Sequence, residues 1–159
     1  MKKDQGSGSG GKKIVAQNRR ARHEYDIEET LEAGLVLTGT EIKSVRAGHV
    51  QLQDAYARVQ EGEAWLHHMH IAPYEQGGRS NVDPDRPRKL LLHRREIDRL
   101  IGKAQEKGLS LIPLSIYLRN GFAKVDLAIA RGRKLYDKRQ AIAERDARRD
   151  QQRAMSERR

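Results

Sequence analysis

The chain of 159 residues contains no cysteine. Disulfides and thiolate metal sites are therefore excluded, and nothing suggests the stapled framework of small secreted domains. No window approaches the roughly 18 consecutive apolar residues of a membrane span. Met1 to Gly11 is dominated by Lys, Gly and Ser, without an apolar stretch. A soluble, cytoplasmic chain with no membrane partner is expected. Gly6 to Gly11 precedes no strand-to-helix junction, so a glycine-rich phosphate cradle is missing as well.

Candidate enzyme sites are thin. His67, His68 and His70 are dense, and on a strand His68 and His70 point to one side as two metal ligands would. No third ligand is spaced to complete them. Flanked by Trp65 and Met69, they read as surface or barrel-lining residues. Glu28 and Glu29 face opposite sides of a strand and so do not form a carboxylate pair for acid/base work. The expectation is a protein with no catalytic residue, no metal, no cofactor and no small-molecule substrate.

What the chain has in abundance is positive charge at its ends. Residues 1–22 carry seven Lys/Arg against one Asp, and residues 131–159 carry eleven against five Asp/Glu, while residues 23–130 carry fourteen against sixteen. A near-neutral body between two cationic ends suits an electrostatic grip on a polyanion. Charged tails also serve as disordered solubilising extensions. An interfacial membrane helix fits poorly, because the C-terminal segment offers only Ile142, Met155 and scattered Ala among its charges.

Patterning places one domain between these ends. Residues 1–17 read as a flexible basic and Gly/Ser tail, with order beginning near Ala21. Tyr25, Ile27, Leu31, Leu35 and Leu37 keep the period of two of a half-buried strand, with a break possible at Ala33-Gly34 and an acidic opposite face at Glu28 and Glu32. Thr38 and Glu41 fit a capping box for a short helix that stops at Gly48. Ala55–Val59 and Ala64–Ile71 read as a hairpin turning at Glu61-Gly62-Glu63. A long polar loop, 73–89, follows. Ile97, Leu100, Ile101 and Ala104 predict an amphipathic helix ended by Lys107-Gly108. Leu109–Leu118 and Phe122–Ala130 predict two strands joined through Asn120-Gly121. The fold class expected is mainly β: a small antiparallel OB-like barrel over 18–130 with two or three flanking helices and basic tails.

The two ends of the barrel carry cations interleaved with aromatics. Asn18-Arg19-Arg20-Ala21-Arg22-His23-Glu24-Tyr25 places three Arg, an amide, an imidazole and a phenol where the tail meets the first strand. Arg131-Gly132-Arg133-Lys134-Leu135-Tyr136-Asp137-Lys138-Arg139 repeats the mixture after the last strand. Arg forks onto phosphate and stacks on bases, while Tyr and His offer planar faces to unpaired nucleotides.

At these stretches the sequence resembles the SmpB family, small proteins that bind transfer-messenger RNA in bacterial trans-translation. The likeness runs from Asn18 onward and includes Glu32-Ala33-Gly34, Gly39–Gly48, Arg88-Lys89-Leu90-Leu91-Leu92 and Ala130–Lys134, with Asp137-Lys138-Arg139 after Tyr136. Only the Gly/Ser stretch departs from it.

The resemblance implies an OB-like barrel that grips the tRNA-like domain of transfer-messenger RNA, acts as a monomer and enters ribosomes stalled without a stop codon. Carried over, Asn18, Tyr25, Glu32, Leu91 and Lys124 lie on or support the gripping surface, beside Arg19, Arg20, Arg22 and His23. Physically, Tyr25 suits stacking, Lys124 suits phosphate, and Asn18 and Glu32 suit hydrogen bonds to bases or 2′-hydroxyls. Leu91 suits support by packing. For Glu32 and Leu91, direct contact and a merely structural place both stay open. The tail 131–159 is expected to be disordered when free and helical on the ribosome. Within it Gly132, Arg133, Lys134, Tyr136, Asp137, Lys138 and Arg139 are assigned to the small-subunit decoding centre. Two other readings of the same residues are an OB barrel serving as ribosomal or ribosome-assembly glue and a metal-dependent nuclease on the His cluster.

Overall fold

The computed structural model describes the backbone of residues 11–157 and the side chains of 11–133 and 145–156; the Gly/Ser stretch before Gly11 lies outside the described residues. In chain order the elements begin with β1 (Lys13–Gln17), α1 (Ala21–Glu24), β2 (Tyr25–Leu35), α2 (Gly39–Arg46) and β3 (Val50–Gln51). They continue with β4 (Tyr56–Gln60), β5 (Glu63–His67), β6 (His70–Ile71) and β7 (Arg88–Leu91). α3 (Arg94–Ala104), β8 (Leu109–Arg119), β9 (Phe122–Gly132) and α4 (Arg133–Glu157) complete the series.

The strands pair antiparallel in the order β1-β8-β4-β5-β7-β2-β9, and a further β8–β9 pairing closes the ring. This is the mainly β barrel that the patterning predicts. Leu66, Leu90, Ile116, Val125, Leu127 and Ile129 fill its interior, all fully or almost fully buried. β1 and β4 share one edge of β8, with β1 against residues 115–118 and β4 against Leu111. Among the described residues a strand therefore already runs over Lys13–Gln17, ahead of the first order expected near Ala21. The apolar run Ile14-Val15-Ala16 is too short to announce a strand, and it is the exposed edge of β8 that gives it a partner.

β9 alternates without interruption, but its two neighbours do not. A bulge between Ile27 and Glu29 in β2, and another between Pro113 and Ser115 in β8, each insert one residue. A one-residue shift turns every later side chain to the other face. So Leu31, Ala33 and Leu35 enter the barrel, whereas Tyr25 and Ile27 lie on its outside, against Ala21, Ile112, Leu114 and Ala128. The single apolar face expected for residues 25–37 is thus two half-faces. The break expected at Ala33-Gly34 is absent, both residues pairing in register with β9.

The capping box forms as expected: the Thr38 hydroxyl accepts from the Glu41 N–H, and the Thr38 N–H donates to the Glu41 carboxylate. That carboxylate, 4% exposed, also receives Arg86 and Arg88. Arg88 is itself fully buried and donates to the carbonyls of Met69 and Pro84. One side chain therefore starts α2 and pins the segment 84–88, leaving less loose loop than residues 73–89 suggest. Burial pushes the Glu41 carboxyl up, but hydrogen bonds from Arg86, the Thr38 N–H and Arg88 outweigh it and hold the group below its ordinary value.

The histidine cluster does not lie on one strand. His68 sits at φ 60° between β5 and β6, so His68 and His70 are not alternate residues of a single ladder. Tyr56 stacks against His67 and His68, with ring centroids 5.3 and 5.4 Å apart.

Candidate nucleic-acid interface

The outer face of β7-β2-β9-β8 is read most easily in rungs, because directly paired residues share a side. Ser115, Asp126 and Glu32 form one rung; Tyr117, Lys124, Gly34 and Leu91 form the next; Arg119 and Phe122 form the last. Near the other end of these strands α1 covers the same face, its Ala21 seated on Ile112, Leu114 and Ala128.

Three of the expected RNA-facing residues meet in one groove of about 720 Å³, where Glu32, Leu91 and Lys124 stand with His93 and Arg99. Gly34 makes this possible. A side chain at that position would begin 3.1 Å from the Leu91 Cβ, so its absence lets Leu91 lie across the sheet. Leu91 is 55% exposed while its neighbour Leu90 is buried. Strand alternation sends Leu90 inward and Leu91 outward, so of the two readings left open for Leu91 the ordinary core leucine does not fit. Lys124 is half-buried and has no ion pair among the described residues.

Glu32 is occupied within the protein. It accepts from the Tyr117 hydroxyl and pairs with Arg119 at 3.0 Å. Tyr117 is only 2% exposed, with the Lys12 ammonium 4.1 Å from its ring centroid. Burial, reinforced by the Glu32 carboxylate, holds the Tyr117 phenol far above its ordinary value, so the hydroxyl stays a donor. Glu32 thereby fixes the positions of Tyr117 and Arg119 on the adjoining strand. Tyr117 and Arg119 were not among the residues expected in the site, since only the register of β8 brings them to Glu32.

A second groove, of about 580 Å³, gathers Lys12, Arg19, Arg22 and His23 around Asp126, over Leu114 and Ser115. Arg19, Arg20, Arg22 and His23 are all exposed. Burial pushes the Asp126 carboxyl up, against the pull of Lys12 and Arg22. Asn18 departs from expectation. It is buried, and its amide donates to the carbonyls of Pro113, at 3.2 Å, and Leu52. The bulge at Leu114 interrupts the ladder, and Asn18 grips the chain there, its side-chain amide donating to the Pro113 carbonyl and its backbone N–H to the Leu114 carbonyl. It supports the surface and does not present a polar edge to solvent. Tyr25 is half-buried on the outer apolar cluster, opposite Gly132 of β9, and lines a third groove of about 640 Å³ with Tyr56, Arg58 and Lys103.

At the far end, Arg131 and Gly132 are still strand residues, and Arg133 donates to the Asp26 carboxylate at 2.6 Å. The tail thus begins two residues later than the sequence boundary, because β2 is long enough to pair with them. Residues 133–157, expected without regular structure in the free chain, form a single helix, and its described residues 145–156 are all exposed. The side chains of Lys134, Tyr136, Asp137, Lys138 and Arg139 lie outside the described residues.

The family model described as "SmpB protein" matches residues 15–157. The SsrA-binding protein of Geobacillus thermodenitrificans is 60% identical over 146 residues, spanning 92% of this chain and 94% of that protein. The SsrA-binding protein of Bacillus cereus is 60% identical over 149 residues, 94% of this chain and 96% of that one. Among solved structures, a chain from "tmRNA-SmpB: a journey to the center of the bacterial ribosome" is similar, with a TM-score of 0.63 and 56% identity. The match covers 74% of this chain and 82% of that one.

Proposed function

The chain belongs to the SmpB family, and from that premise we propose that it binds the tRNA-like domain of transfer-messenger RNA and brings it to ribosomes stalled on messages without a stop codon. The observation that carries this reading is the outer sheet face, where Lys124, Leu91 and the Glu32-held Arg119 adjoin a second groove of exposed Arg19, Arg22 and His23. Cations beside flat or apolar groups suit an RNA whose backbone and unpaired bases are both within reach.

The partner RNA has no anticodon arm, so codon pairing cannot license its entry, and the barrel occupies the missing arm's place. Arg19, Arg20, Arg22 and His23 take phosphates along one flank, and Lys124 takes phosphate on the other. Asn18 and Glu32 act through the groups they hold. Gly132 and Arg133 anchor the base of the tail, and Lys134, Tyr136, Asp137, Lys138 and Arg139 meet ribosomal RNA in the decoding centre and empty message channel. A helix already runs over 133–157 without a partner, and it enters the message channel only where no message competes for that space. The protein works in the cytoplasm, where ribosomes are, and as a monomer. No described helix is long and apolar enough to cross a membrane. Peptide transfer is left to the ribosome.

Recovery of the full-length protein from bacterial cells under gentle lysis is the test. One stable RNA of a few hundred nucleotides, absent with Lys124→Ala, is the expected result. Ribosomal RNA in every fraction and no such species would refute the reading.

A further inference from the structure

Beyond Lys124 the outer face ends in a residue that no charge pattern marks. Phe122 stands opposite Arg119 at the close of the β8–β9 hairpin. By strand alternation its ring leaves the sheet on the side of Lys124 and Asp126, while Ala123 and Val125 are buried inward. It is 69% exposed, the most of any large hydrophobic side chain in the described barrel. The connecting residues Asn120 and Gly121 have φ of 52° and 81°, as in the tight primed turn that matches the twist of a hairpin. The ring is therefore carried on a short, well-determined tip rather than on a long loop.

A single exposed apolar residue is ordinary. Phe122 is set apart by its company. Arg119 faces it across the hairpin, Lys124 lies one rung back on its own strand, and Leu91, itself 55% exposed, lies on that same rung two strands away. An exposed ring bordered by two cations is poorly suited to an apolar protein knob and well suited to a polyanion with flat, unpaired bases. Nor is the ring needed inside, because the barrel is filled by Ala123, Val125 and Leu127 from the alternate positions.

We infer that Phe122 is a base-stacking contact for the partner RNA, its ring taking the face of an unpaired nucleotide of the tRNA-like domain while Arg119 and Lys124 hold the flanking phosphates. The inference rests on the function proposed above and adds to it a residue type and a mode of contact.

The test compares full-length wild type with F122W, F122L and F122A, measuring affinity for the isolated tRNA-like domain RNA at fixed salt. F122A and F122L weaken binding roughly 5- to 100-fold, and F122W binds at least as tightly as wild type, as stacking requires. The slope of affinity against salt is unchanged, because no charge is removed. In a W65F/F122W protein the remaining indole is quenched when the RNA binds. F122L at wild-type affinity, F122A at wild-type affinity, or an indole whose emission does not change would overturn the inference alone. So would a concentration-dependent dimer that F122A abolishes, since the ring would then belong to a second copy of the chain. A wild-type protein that fails to bind this RNA overturns the proposed function itself, and the two failures are told apart by that arm.

Discussion

Leu91 lies over Gly34, with its Cβ 3.1 Å from the point where a side chain on Gly34 would begin. The exposed leucine is available to a partner only because its neighbour across the ladder has no side chain. Gly34→Val should cost stability, roughly 1–3 kcal/mol for forcing extra bulk into a packed position, and should displace Leu91. RNA affinity is then expected to fall at least as far as in Leu91→Ala. Melting curves and binding isotherms on the two variants check this; a Gly34→Val protein that binds like wild type contradicts it.

Glu32 provides a second test, because it holds partners on another strand. Tyr117→Phe removes the donor and should destabilise by about 1.5–3 kcal/mol, the range for a hydrogen bond to a charged group. If Glu32 acts by positioning, a double-mutant cycle between Glu32→Gln and Tyr117→Phe shows coupling in stability, and the double mutant binds RNA no worse than the weaker single mutant. Strictly additive losses of affinity would instead mean that Glu32 touches the RNA.

Acid should expose the Glu41 cluster. The Glu41 carboxyl is held below its ordinary value of 4.5, so the folded state binds fewer protons there than the unfolded state does. Its contribution is complete above that value and is lost as pH falls through the lower folded-state value. The melting temperature of wild type should therefore drop more steeply between about pH 5 and pH 3 than that of Glu41→Gln. At neutral pH the same substitution should cost on the order of 3 kcal/mol, since it leaves Arg88 buried without its counter-charge. Parallel pH profiles for the two proteins would show that Arg86 and Arg88 do not depend on Glu41.

Much of the barrel was legible because its signals are local. Thr38 and Glu41 announce a cap, Asn120-Gly121 a hairpin, and Leu100 with Ala104 a helix face, and each is where those rules put it. The misses all involve partners distant in sequence. A bulge such as that beside Glu28 has no composition of its own, so Tyr25 and Ile27 looked like core residues of the same face as Leu31. Lys13–Gln17 became a strand only because β8 outlasts β4 along their shared edge. Asn18 has the chemistry of a base-reading amide, and only its bonds to the distant Pro113 and Leu52 carbonyls reveal another use for it. Tyr117 reads from sequence as one more apolar strand residue until the register brings its hydroxyl to Glu32.

The boundary of β9 fixes where the tail should be cut. Truncation after Gly132 keeps every pair of β9 with β2 and removes ten Lys/Arg and five Asp/Glu. The body should stay folded and specific affinity for the tRNA-like domain should survive, with some loss of non-specific binding. Tagging of peptides on message lacking a stop codon should be abolished. Truncation after Ala130 should do additional harm, because it strips the partners of Tyr25 and Asp26. Measuring affinity, tagging and melting temperature on both truncations decides the matter, and normal tagging by either would refute the assigned role of the tail.

Salt should separate the two grooves from the ring of Phe122. Substituting Arg19 and Arg22 together with Ala should lower the slope of log affinity against log salt by about two, if each neutralises one phosphate. An unchanged slope would place both side chains away from the RNA backbone.

β9 is the straight ruler between β2 and β8, each of which carries one more residue than it can match. Length in this protein is therefore quantised. Deleting a single residue from β2 near Glu28 would not shorten a loop but would exchange inside for outside along half a strand, driving Tyr25 and Ile27 toward the interior or Leu31 and Ala33 out of it. Chain-length variation compatible with this barrel is confined to turns such as Glu61-Gly62, and within the long strands descendants of this sequence can change letters but not their number.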